Sequence, residues 1–436
     1  MDHADQFDVL IVGAGAAGLA TAIFTARRGP HLRIACLDGA RKLGAKILVS
    51  GGGRCNITNV RVTPEDFWGG SRNSIRRVLN ALTEAQTADF FRELGVGLHE
   101  EQWGKLFPDS NSAKTVLNAL LSETGRLNVS ILSAHRVVDV RRAENQGFEI
   151  TCQFPEPRAS ARATSAAPAD GLSLMGRTVV LATGGRSLPK TGSDGLGYDL
   201  AKRLGHSIVP TTPALAPLVL DGDFHAGLSG VSHEVEVIVR AEGEKPVRIA
   251  GPMLWTHFGA SGPAIMDASR HWHRVRQEGK TPRLSLNFLL GRSFESAEQL
   301  MIDLAAAQPR ANVRNALGTI LPARLAETLL TRSGIGPQVV MGQLVREDRR
   351  RIVHALLDWP LPVVDSRGYN YAEATAGGVP LSEIDASTMQ SRVCPGVFLV
   401  GEILDVDGRI GGFNFQWAWS SGYVAAWGIE RFLLCR

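Results

Sequence analysis

The chain has 436 residues, 44% of them hydrophobic and 21% charged, which is typical of a globular protein with two or three compact units. Its 47 basic and 43 acidic residues give a net charge of only +4, which permits nucleic-acid binding without requiring it. Five cysteines without C-x-x-C spacing exclude a zinc ribbon and a dithiol redox motif, and no metal site is predicted. The cysteine content, the polar N-terminus and the lack of a stretch of about 20 apolar residues favour a cytoplasmic protein outside the membrane.

The first predicted elements form a dinucleotide-binding βαβ unit. An apolar strand, Asp8–Val12, runs directly into the glycine-rich turn Gly13–Gly18 and then into a helix rich in alanine and leucine. In such a turn the first glycine permits the bend, the second lets a pyrophosphate approach the backbone, and the third lets helix and strand pack closely. Asp38 ends the next strand and is placed to accept hydrogen bonds from an adenosine ribose.

A second glycine-rich segment follows, with three consecutive glycines at positions 51–53 between Ser50 and Arg54. Three glycines in a row lose much backbone entropy on folding, which favours a close approach by a flat ligand or a phosphate. A plain mobile loop is the alternative. Arg54 could pair with a phosphate or with a substrate carboxylate.

The central part of the chain adds a helical stretch over about 73–94, and then residues 135–141 and 147–152 alternate as a small antiparallel hairpin. The segment 155–170 is predicted to be an exposed loop. A buried-type strand over 177–181 ends in Ala182, Thr183 and Gly184, small residues that let a cofactor lie close. Near the C-terminus, Gly396–Glu402 repeats the pattern of a strand entering a turn.

Several sequence blocks resemble the BaiN-like flavoproteins, also called the aminoacetone oxidase family. The resemblance covers nearly the whole chain and rests on blocks that occur in the same order: 46–59 (KILVSGGGRCNITN), Pro189 with 191–198 (TGSDGLGY), 205–206 (GH), 256–263 (THFGASGP), 375–379 (TAGGV) and 401–408 (GEILDVDG).

The resemblance implies an α/β fold, in which a glutathione-reductase-like FAD-binding Rossmann domain is formed by both chain ends. That domain would take residues 1–190 and 375–436. Residues 191–374 would form an inserted domain, a β-barrel with a helical subdomain at about 292–345. No second G-x-G-x-x-G motif occurs in the insertion, so NADH or NADPH would have to visit the flavin transiently, or oxygen would reoxidise it.

The resemblance also assigns residues to the cofactor. Gly13, Gly15 and Gly18 should meet the pyrophosphate, Asp38 the ribose, and the loop 51–54 with Asn56 the isoalloxazine. Val137, or its neighbour Val138, matches the hairpin position that touches adenine. The loop contributes Gly51, Gly52 and Gly53. Glu402, with Asp405 as a second candidate, should lie near the ribityl chain, and Gly412, Phe413 and Asn414 begin a helix whose free N–H groups should face N1 and O2 of the flavin ring. The other cofactor-binding candidates are Ala16, Ala17, Gly39, Lys46, Ser50, Ala182, Thr183, Gly184 and Gly401.

Two residues are catalytic candidates, Arg54 and His257. His257 lies in a turn rich in glycine, serine and threonine and could transfer a proton, since imidazole titrates near neutrality. A structural histidine bonded to backbone is the other interpretation, and a lone titratable residue favours it. Cys55 is interpreted as a small buried residue, and the tryptophans at 417, 419 and 427 as core residues.

The leading hypothesis is a cytoplasmic FAD-dependent oxidoreductase that transfers a hydride between flavin N5 and a small organic substrate. A flavin-dependent RNA-modifying protein is the alternative suggested by the basic pI, although the arginines are scattered and nucleic acid is not the expected partner. A flavin-binding module without turnover is the third class. The sequence does not determine the oligomeric state.

Overall fold

The computed structural model describes residues 6–143, 147–154 and 172–435, so the loop expected at 155–170 lies outside the described residues. The strands in chain order are β1 (Gln6–Val12), β2 (Ile34–Asp38), β3 (Thr58–Asn59), β4 (Phe67–Gly69), β5 (Leu98–Glu101), β6 (Lys105–Pro108), β7 (Ser130–Ser133), β8 (Arg136–Arg142), β9 (Phe148–Gln153), β10 (Leu172–Leu181), β11 (Val209–Ala214), β12 (Leu218–Leu220), β13 (Ser232–Arg240), β14 (Val247–Thr256), β15 (Gly259–Ser261), β16 (Arg283–Asn287), β17 (Trp359–Leu361), β18 (Val363–Ser366), β19 (Ala374–Gly378), β20 (Ile384–Asp385), β21 (Gln390–Ser391), β22 (Val397–Leu399) and β23 (Val406–Gly408).

The α-helices are α1 (Ala16–Arg28), α2 (Ala45–Val49), α3 (Arg72–Ala81), α4 (Glu84–Glu93), α5 (Ala113–Arg126), α6 (Leu196–Arg203), α7 (Pro263–Gln277), α8 (Phe294–Ala307), α9 (Val313–Leu317), α10 (Ala323–Arg332), α11 (Arg346–Leu357) and α12 (Phe413–Leu434). The stretch expected to be helical over 73–94 is two helices, because Thr83 caps α4 through its side chain, which accepts a hydrogen bond from the Gln86 amide. None of the helices in the described ranges has both the length and the apolar character that a membrane span requires.

The chain divides into two compact units, one made of Met1–Thr212 with Glu373–Arg436 and one of Pro213–Ala372. The sequence placed the first boundary at 190/191 and the second at 374/375. Residues 191–212 go with the first unit for two reasons. The Arg203 side chain at the end of α6 donates to the Val138 carbonyl in β8 at 2.8 Å, and β11 pairs with β19.

The first unit is built on a parallel sheet in the order β22-β10-β1-β2-β7, with the antiparallel hairpin β8-β9 added to β10. Strand β1 is buried from Val9 to Val12, as expected for a central strand covered on both faces. Because β1, β2 and β10 run parallel, the segments that follow their carboxyl ends emerge at one edge of the sheet, where α/β folds bind ligands.

Helices α1 and α12 bring the two ends of the chain together. A methyl group on Gly422 of α12 would lie 3.0 Å from the Thr21 hydroxyl and 3.1 Å from the Ala17 carbonyl oxygen of α1. Trp417 and Trp419 of α12 are buried, as predicted, but the prediction for Trp427 is wrong, since that side chain is 48% exposed. The expected Rossmann domain made from both chain ends is therefore present.

The second unit contains a seven-stranded antiparallel sheet in the order β17-β16-β13-β14-β15-β12-β18. No ladder joins β17 to β18 in the part of the chain that the structure describes, so the sheet is not the closed β-barrel expected from the sequence. The two edge strands are consecutive and are separated only by Pro362, which has no N–H with which to extend a ladder. Helices α8 to α11 follow the sheet strand β16 and extend to residue 357, beyond the expected end of the helical part near 345.

Candidate functional site

The glycine turn after β1 combines two crowded positions with one open position. Gly13 has φ +107°, and a methyl group there would overlap the Ala182 carbonyl oxygen. A methyl group on Gly18 would overlap the Gly13 carbonyl oxygen and lie 3.0 Å from the carbonyl carbon. Around Gly15, in contrast, no atom lies within 4 Å of the position that a methyl group would take. Packing therefore explains Gly13 and Gly18, whereas Gly15 borders open space at the N-terminus of α1.

Asp38 holds this turn from the end of β2. Its carboxylate accepts hydrogen bonds from the amide of Ala14 at 2.9 Å and from the amide of Ala40 at 2.8 Å. A carboxylate has about four lone-pair sites, so these two bonds leave acceptor capacity for ribose hydroxyls. Beside it, a methyl group on Gly39 would lie 3.1 Å from Cβ of Arg136. Asp38 thus has a structural function in the turn besides the one predicted from the sequence.

Further cofactor candidates lie in the β8-β9 hairpin, which is paired with β10, and on α1, which follows the glycine turn. Val137 is buried and pairs with Cys152, and a bulge falls between Val137 and Asp139. The carbonyl of the bulged Val138 accepts a hydrogen bond from the Arg203 side chain at 2.8 Å. On α1, Ala17 is buried, and its Cβ would lie 2.8 Å from a methyl group on Gly401; Ala16 is partly buried.

The three-glycine loop has a backbone that other residues adopt with difficulty. Gly51, Gly52 and Gly53 have φ of 55°, 70° and 86° in succession. No atom lies within 4 Å of a methyl group placed on Gly52, and the nearest to one on Gly53 is the Leu48 carbonyl oxygen at 3.8 Å. At Gly52 and Gly53 the left-handed conformation, and not crowding by the protein, therefore requires glycine, whereas a methyl group on Gly51 would also lie 3.0 Å from the Phe107 ring. Ser50 orients the loop, since its carbonyl accepts from the Cys55 amide at 3.0 Å.

Arg54, the first catalytic candidate, is engaged with neighbouring side chains. Its guanidinium lies 4.1 Å from the centre of the Phe107 ring and forms an ion pair with Glu101 at 2.5 Å. The hydrogen bond from Arg54 holds the pKa of Glu101 below its usual value. The positive charge is thus partly neutralised, although the side chain remains partly exposed.

Asn56 and Cys55 follow Arg54 and are both buried. The Asn56 side chain is 8% exposed, and its Oδ1 atom has no hydrogen-bond partner among the described residues. Buried side-chain oxygens are normally paired, so this oxygen indicates a donor that the protein itself does not supply. Burial raises the pKa of Cys55 to about 12. The Cys55 side chain is fully buried, which confirms its interpretation as a small buried residue.

Lys46 and Glu402 belong to a hydrogen-bonded cluster that links distant parts of the first unit. One Glu402 carboxylate oxygen pairs with the Lys46 ammonium, and the other accepts from the Ser187 hydroxyl at 2.6 Å and from the Thr375 amide at 2.9 Å. The Thr375 hydroxyl oxygen in turn accepts from the Ser187 amide at 3.0 Å. Ser187 and Thr375 were missed at the sequence level. Only the motif block containing Thr375 could have pointed to them.

Glycine positions around this cluster leave no space for side chains. A methyl group on Gly185 would lie 2.8 Å from the Glu402 carboxylate, and one on Gly184, which has φ +70°, would overlap the Ser193 hydroxyl. The neighbouring Thr183 carries a second buried oxygen without a partner in the described part of the chain, Oγ1. Strand β10 thus ends in a close-packed turn with one unpaired polar atom.

The C-terminal candidates surround the start of α12. Gly412, with φ +93°, precedes the helix, and a methyl group there would lie 2.8 Å from Thr58 Cα. The Asn414 side chain is bonded in both directions to the backbone of Gly408, at 2.9 and 2.8 Å. Phe413 is buried, with its ring edge-on to Phe67 at 6.1 Å, which places it in the core.

Of the three remaining candidates, Gly401 and Asp405 form backbone hydrogen bonds in the first unit, and His257 lies in the second unit. Gly401 has φ +72°, and its amide donates to the Ser421 hydroxyl at 3.0 Å. The Asp405 carbonyl accepts from the Gly70 amide at 2.8 Å. His257, the second catalytic candidate, belongs to the other compact unit, where it is exposed in the turn between β14 and β15.

The residues of the first unit fit a bound dinucleotide. Gly15 borders open space, and two buried oxygens, on Asn56 and Thr183, have no partner among the described residues. FAD carries hydroxyl, amide and phosphate groups that could meet such atoms. The described residues contain no group of three or more His, Cys, Asp or Glu side chains arranged to hold a metal ion.

Comparisons with known proteins show which family the chain belongs to. The family model described as "HI0933-like protein Rossmann domain" matches residues 7–428. The chain is 33% identical over 425 residues to a ribosomal RNA dihydrouridine synthase of Escherichia coli, covering 97% of this chain and 98% of that protein. It is 31% identical over 415 residues to a 3-dehydro-bile acid delta(4,6)-reductase of Clostridium scindens, covering 95% and 97%. A ribosomal RNA dihydrouridine synthase of Haemophilus influenzae is 30% identical over 425 residues, covering 97% and 98%.

Solved structures with a similar fold are far less similar in sequence. The E. coli quinol fumarate reductase FrdA superposes with a TM-score of 0.50 at 16% identity, covering 99% of this chain and 71% of that one. The Mycobacterium smegmatis Sdh1 complex gives a TM-score of 0.51 at 15% identity, covering 99% and 69%. These likenesses concern the fold alone.

Proposed function

The chain belongs to the HI0933-like Rossmann family of FAD-binding oxidoreductases, and we propose that it is a reductase that converts uridine in ribosomal RNA to dihydrouridine. The observation that carries this proposal is the match to two ribosomal RNA dihydrouridine synthases over 97% of the chain. We therefore favour the RNA alternative over the small organic substrate, which was the leading hypothesis from the sequence.

The reaction class is supported by the chemistry that the relatives' names have in common. Dihydrouridine is uridine whose C5–C6 double bond has gained two hydrogens, and a delta(4,6)-reductase of a 3-dehydro steroid likewise saturates ring double bonds. In both rings the double bond is conjugated to a carbonyl, which makes the carbon β to that carbonyl able to accept a hydride. One hydride and one proton add across the bond, so the product gains two electrons and two protons in total.

When bound, reduced FAD supplies the hydride, and NADH or NADPH is the proposed source of its electrons. The chain's own residues bind and orient. The glycine turn at 13–18 would meet the pyrophosphate, and Asp38 the ribose. The charge of Arg54 would stabilise the negative charge that develops during reduction.

A polar cavity in the first unit supports uracil over a steroid. It has a volume of about 430 Å³ and is lined by Asn59, Val60, Arg61, Thr63, Asp66, Glu100, Trp103, Gly104 and Arg409. Uracil presents two carbonyls and an N–H at its edges, which such side chains can pair. A steroid nucleus presents hydrocarbon, and burying these charged groups against it would be costly.

Steroid reduction is the second candidate function, favoured by the 31% identity to the bile acid reductase. Anaerobic reduction of the purified protein by NADPH or NADH, followed by addition of unmodified ribosomal RNA, tests the first proposal. Nucleoside mass spectrometry should show dihydrouridine at a defined site. A 3-oxo-4,6-diene bile acid in parallel tests the second. Reduction of the steroid but not of the RNA would favour steroid reduction over uridine reduction, and reduction of neither substrate would refute both functions.

A further inference from the structure

We propose that Trp103 is the residue on which the uracil ring stacks, so that the cavity described above is the base-recognition pocket. This inference rests on the proposed function, because it names the contact through which an RNA substrate would be held. It is carried by the backbone conformation of Trp103, the hydrogen bonds that fix it, and the groups around its indole ring.

Trp103 has an unusual backbone for a large residue. Its φ is 68° and ψ is 23°, a left-handed conformation, and Gly104 follows with φ 71°. A non-glycine residue held in a sparsely populated region costs on the order of 1–3 kcal/mol, and such residues cluster at ligand sites. The side chain is 56% exposed, so its burial in the protein does not offset that cost. The indole is therefore presented to solvent at the expense of backbone strain.

The buried side chain of Asn59 fixes the strained turn. Asn59, which is 4% exposed, donates from Nδ2 to the Trp103 carbonyl at 2.9 Å and to the Gly411 carbonyl at 3.2 Å. The Val60 amide also donates to the Gly104 carbonyl at 2.8 Å. Because Gly411 leads directly into Gly412 and α12, the same side chain ties Trp103 to the turn predicted to lie beside the isoalloxazine. The indole is thus anchored next to that predicted end of the cofactor site.

The cavity offers both a stacking face and polar edges. Arg409 pairs with Asp66 at 2.8 Å and is held over the Phe413 ring at 4.5 Å. Arg61 is exposed and has no carboxylate partner within the described ranges, so its charge is available to a phosphate. An aromatic face flanked by cations is how proteins hold bases of single-stranded nucleic acid. A nucleotide of an RNA loop meets all three features.

The test is the affinity of the FAD-loaded protein for a fluorescein-labelled RNA stem-loop with a single loop uridine, read by fluorescence anisotropy. Trp103→Gly should weaken binding by about 5- to 150-fold, the effect of removing a base-stacking aromatic. Trp103→Phe should retain most of the affinity. Glycine accepts the left-handed backbone without strain, so Trp103→Gly should unfold at the wild-type temperature or above, which separates lost stacking from misfolding.

Two controls make the result specific. Trp427→Ala removes another exposed tryptophan, 48% exposed and covered by Arg28 at 3.2 Å from the ring centre, and should leave RNA affinity unchanged. On the same RNA with an abasic site in place of the uridine, wild type and Trp103→Gly should bind equally. Dihydrouridine formation by Trp103→Gly should show a raised KM for RNA with a much smaller change in kcat.

Two outcomes would overturn the inference and leave the proposed function intact. Wild-type affinity and KM in Trp103→Gly, with the wild type active on RNA, would remove Trp103 from substrate recognition. A raised KM for NADPH in flavin reduction, with RNA affinity unchanged, would assign the pocket to the reductant. Failure of the proposed function has a different signature, since the wild type itself would then form no dihydrouridine.

Discussion

Replacing Gly15 by alanine should weaken FAD binding without destabilising the fold. Gly15 has φ −83°, which any residue adopts, and nothing lies within 4 Å of the position of an added methyl group. Gly15→Ala should therefore change the free energy of unfolding of the cofactor-free protein by no more than about 0.5 kcal/mol. If the pyrophosphate occupies that space, the methyl group blocks it, and we expect at least about tenfold weaker FAD binding, equal to roughly 1.4 kcal/mol.

The matched control is three residues away. Gly18→Ala would place its methyl group onto the Gly13 carbonyl oxygen and 3.3 Å from Cβ of Ala182. Because backbone must move to relieve that overlap, it should destabilise the protein by about 1–3 kcal/mol or more. FAD content by visible absorption and urea unfolding of both cofactor-free variants separate the two effects. Wild-type FAD content in Gly15→Ala would show that the cofactor does not approach this turn.

Asp38→Ala should weaken FAD binding by about 1–3 kcal/mol. It should also lower the unfolding temperature, because the Asp38 carboxylate accepts hydrogen bonds from two backbone amides. Wild-type FAD affinity of the variant in equilibrium dialysis would exclude Asp38 as the ribose ligand. Arg54→Ala should lower the flavin reduction potential through loss of a positive charge, with partial recovery in Arg54→Lys; an unshifted potentiometric titration would place the loop away from the isoalloxazine. Burial raises the pKa of Cys55 from 9.0 to about 12, so the unfolded chain loses the thiol proton at a lower pH than the folded chain. The free energy of unfolding should therefore fall as the pH rises above 9, by at most about 1.4 kcal/mol per pH unit for this thiol. Cys55→Ala should flatten that decline in urea midpoints between pH 8 and 10.5, and an equally steep decline would contradict the assignment.

Local patterns made the first unit predictable. The strand β1, the glycine turn and α1 are contiguous in sequence, and their spacing follows directly from how a helix packs on a strand. The hairpin expected over 135–152 is present as β8 and β9 for the same reason, since alternation and a short connection are local signals. The buried C-terminal tryptophans at 417 and 419 follow from the apolar pattern of α12, whereas Trp427 lies at the helix surface, where it is covered by Arg28.

Long-range polar contacts were not predictable. The cluster of Lys46, Ser187, Thr375 and Glu402 joins four segments, with its members up to 356 residues apart, and no periodicity connects them. The left-handed conformation of Trp103 carries no sequence signal either, because tryptophan rarely adopts it. Closure of a barrel depends on pairing between edge strands, which the strand pattern of the second unit does not specify.

The glycines of the site fall into physical classes, and only some of these indicate a ligand. At Gly13 and Gly18 the surrounding backbone leaves no space for a side chain, so the fold alone accounts for them. At Gly52 the left-handed φ is sufficient explanation. Gly15 has neither demand, since its φ is ordinary and its surroundings are open. A glycine that the protein does not itself require, at the N-terminus of a helix, is best explained by something that approaches its backbone from outside, and an anionic pyrophosphate is what that helix end would attract.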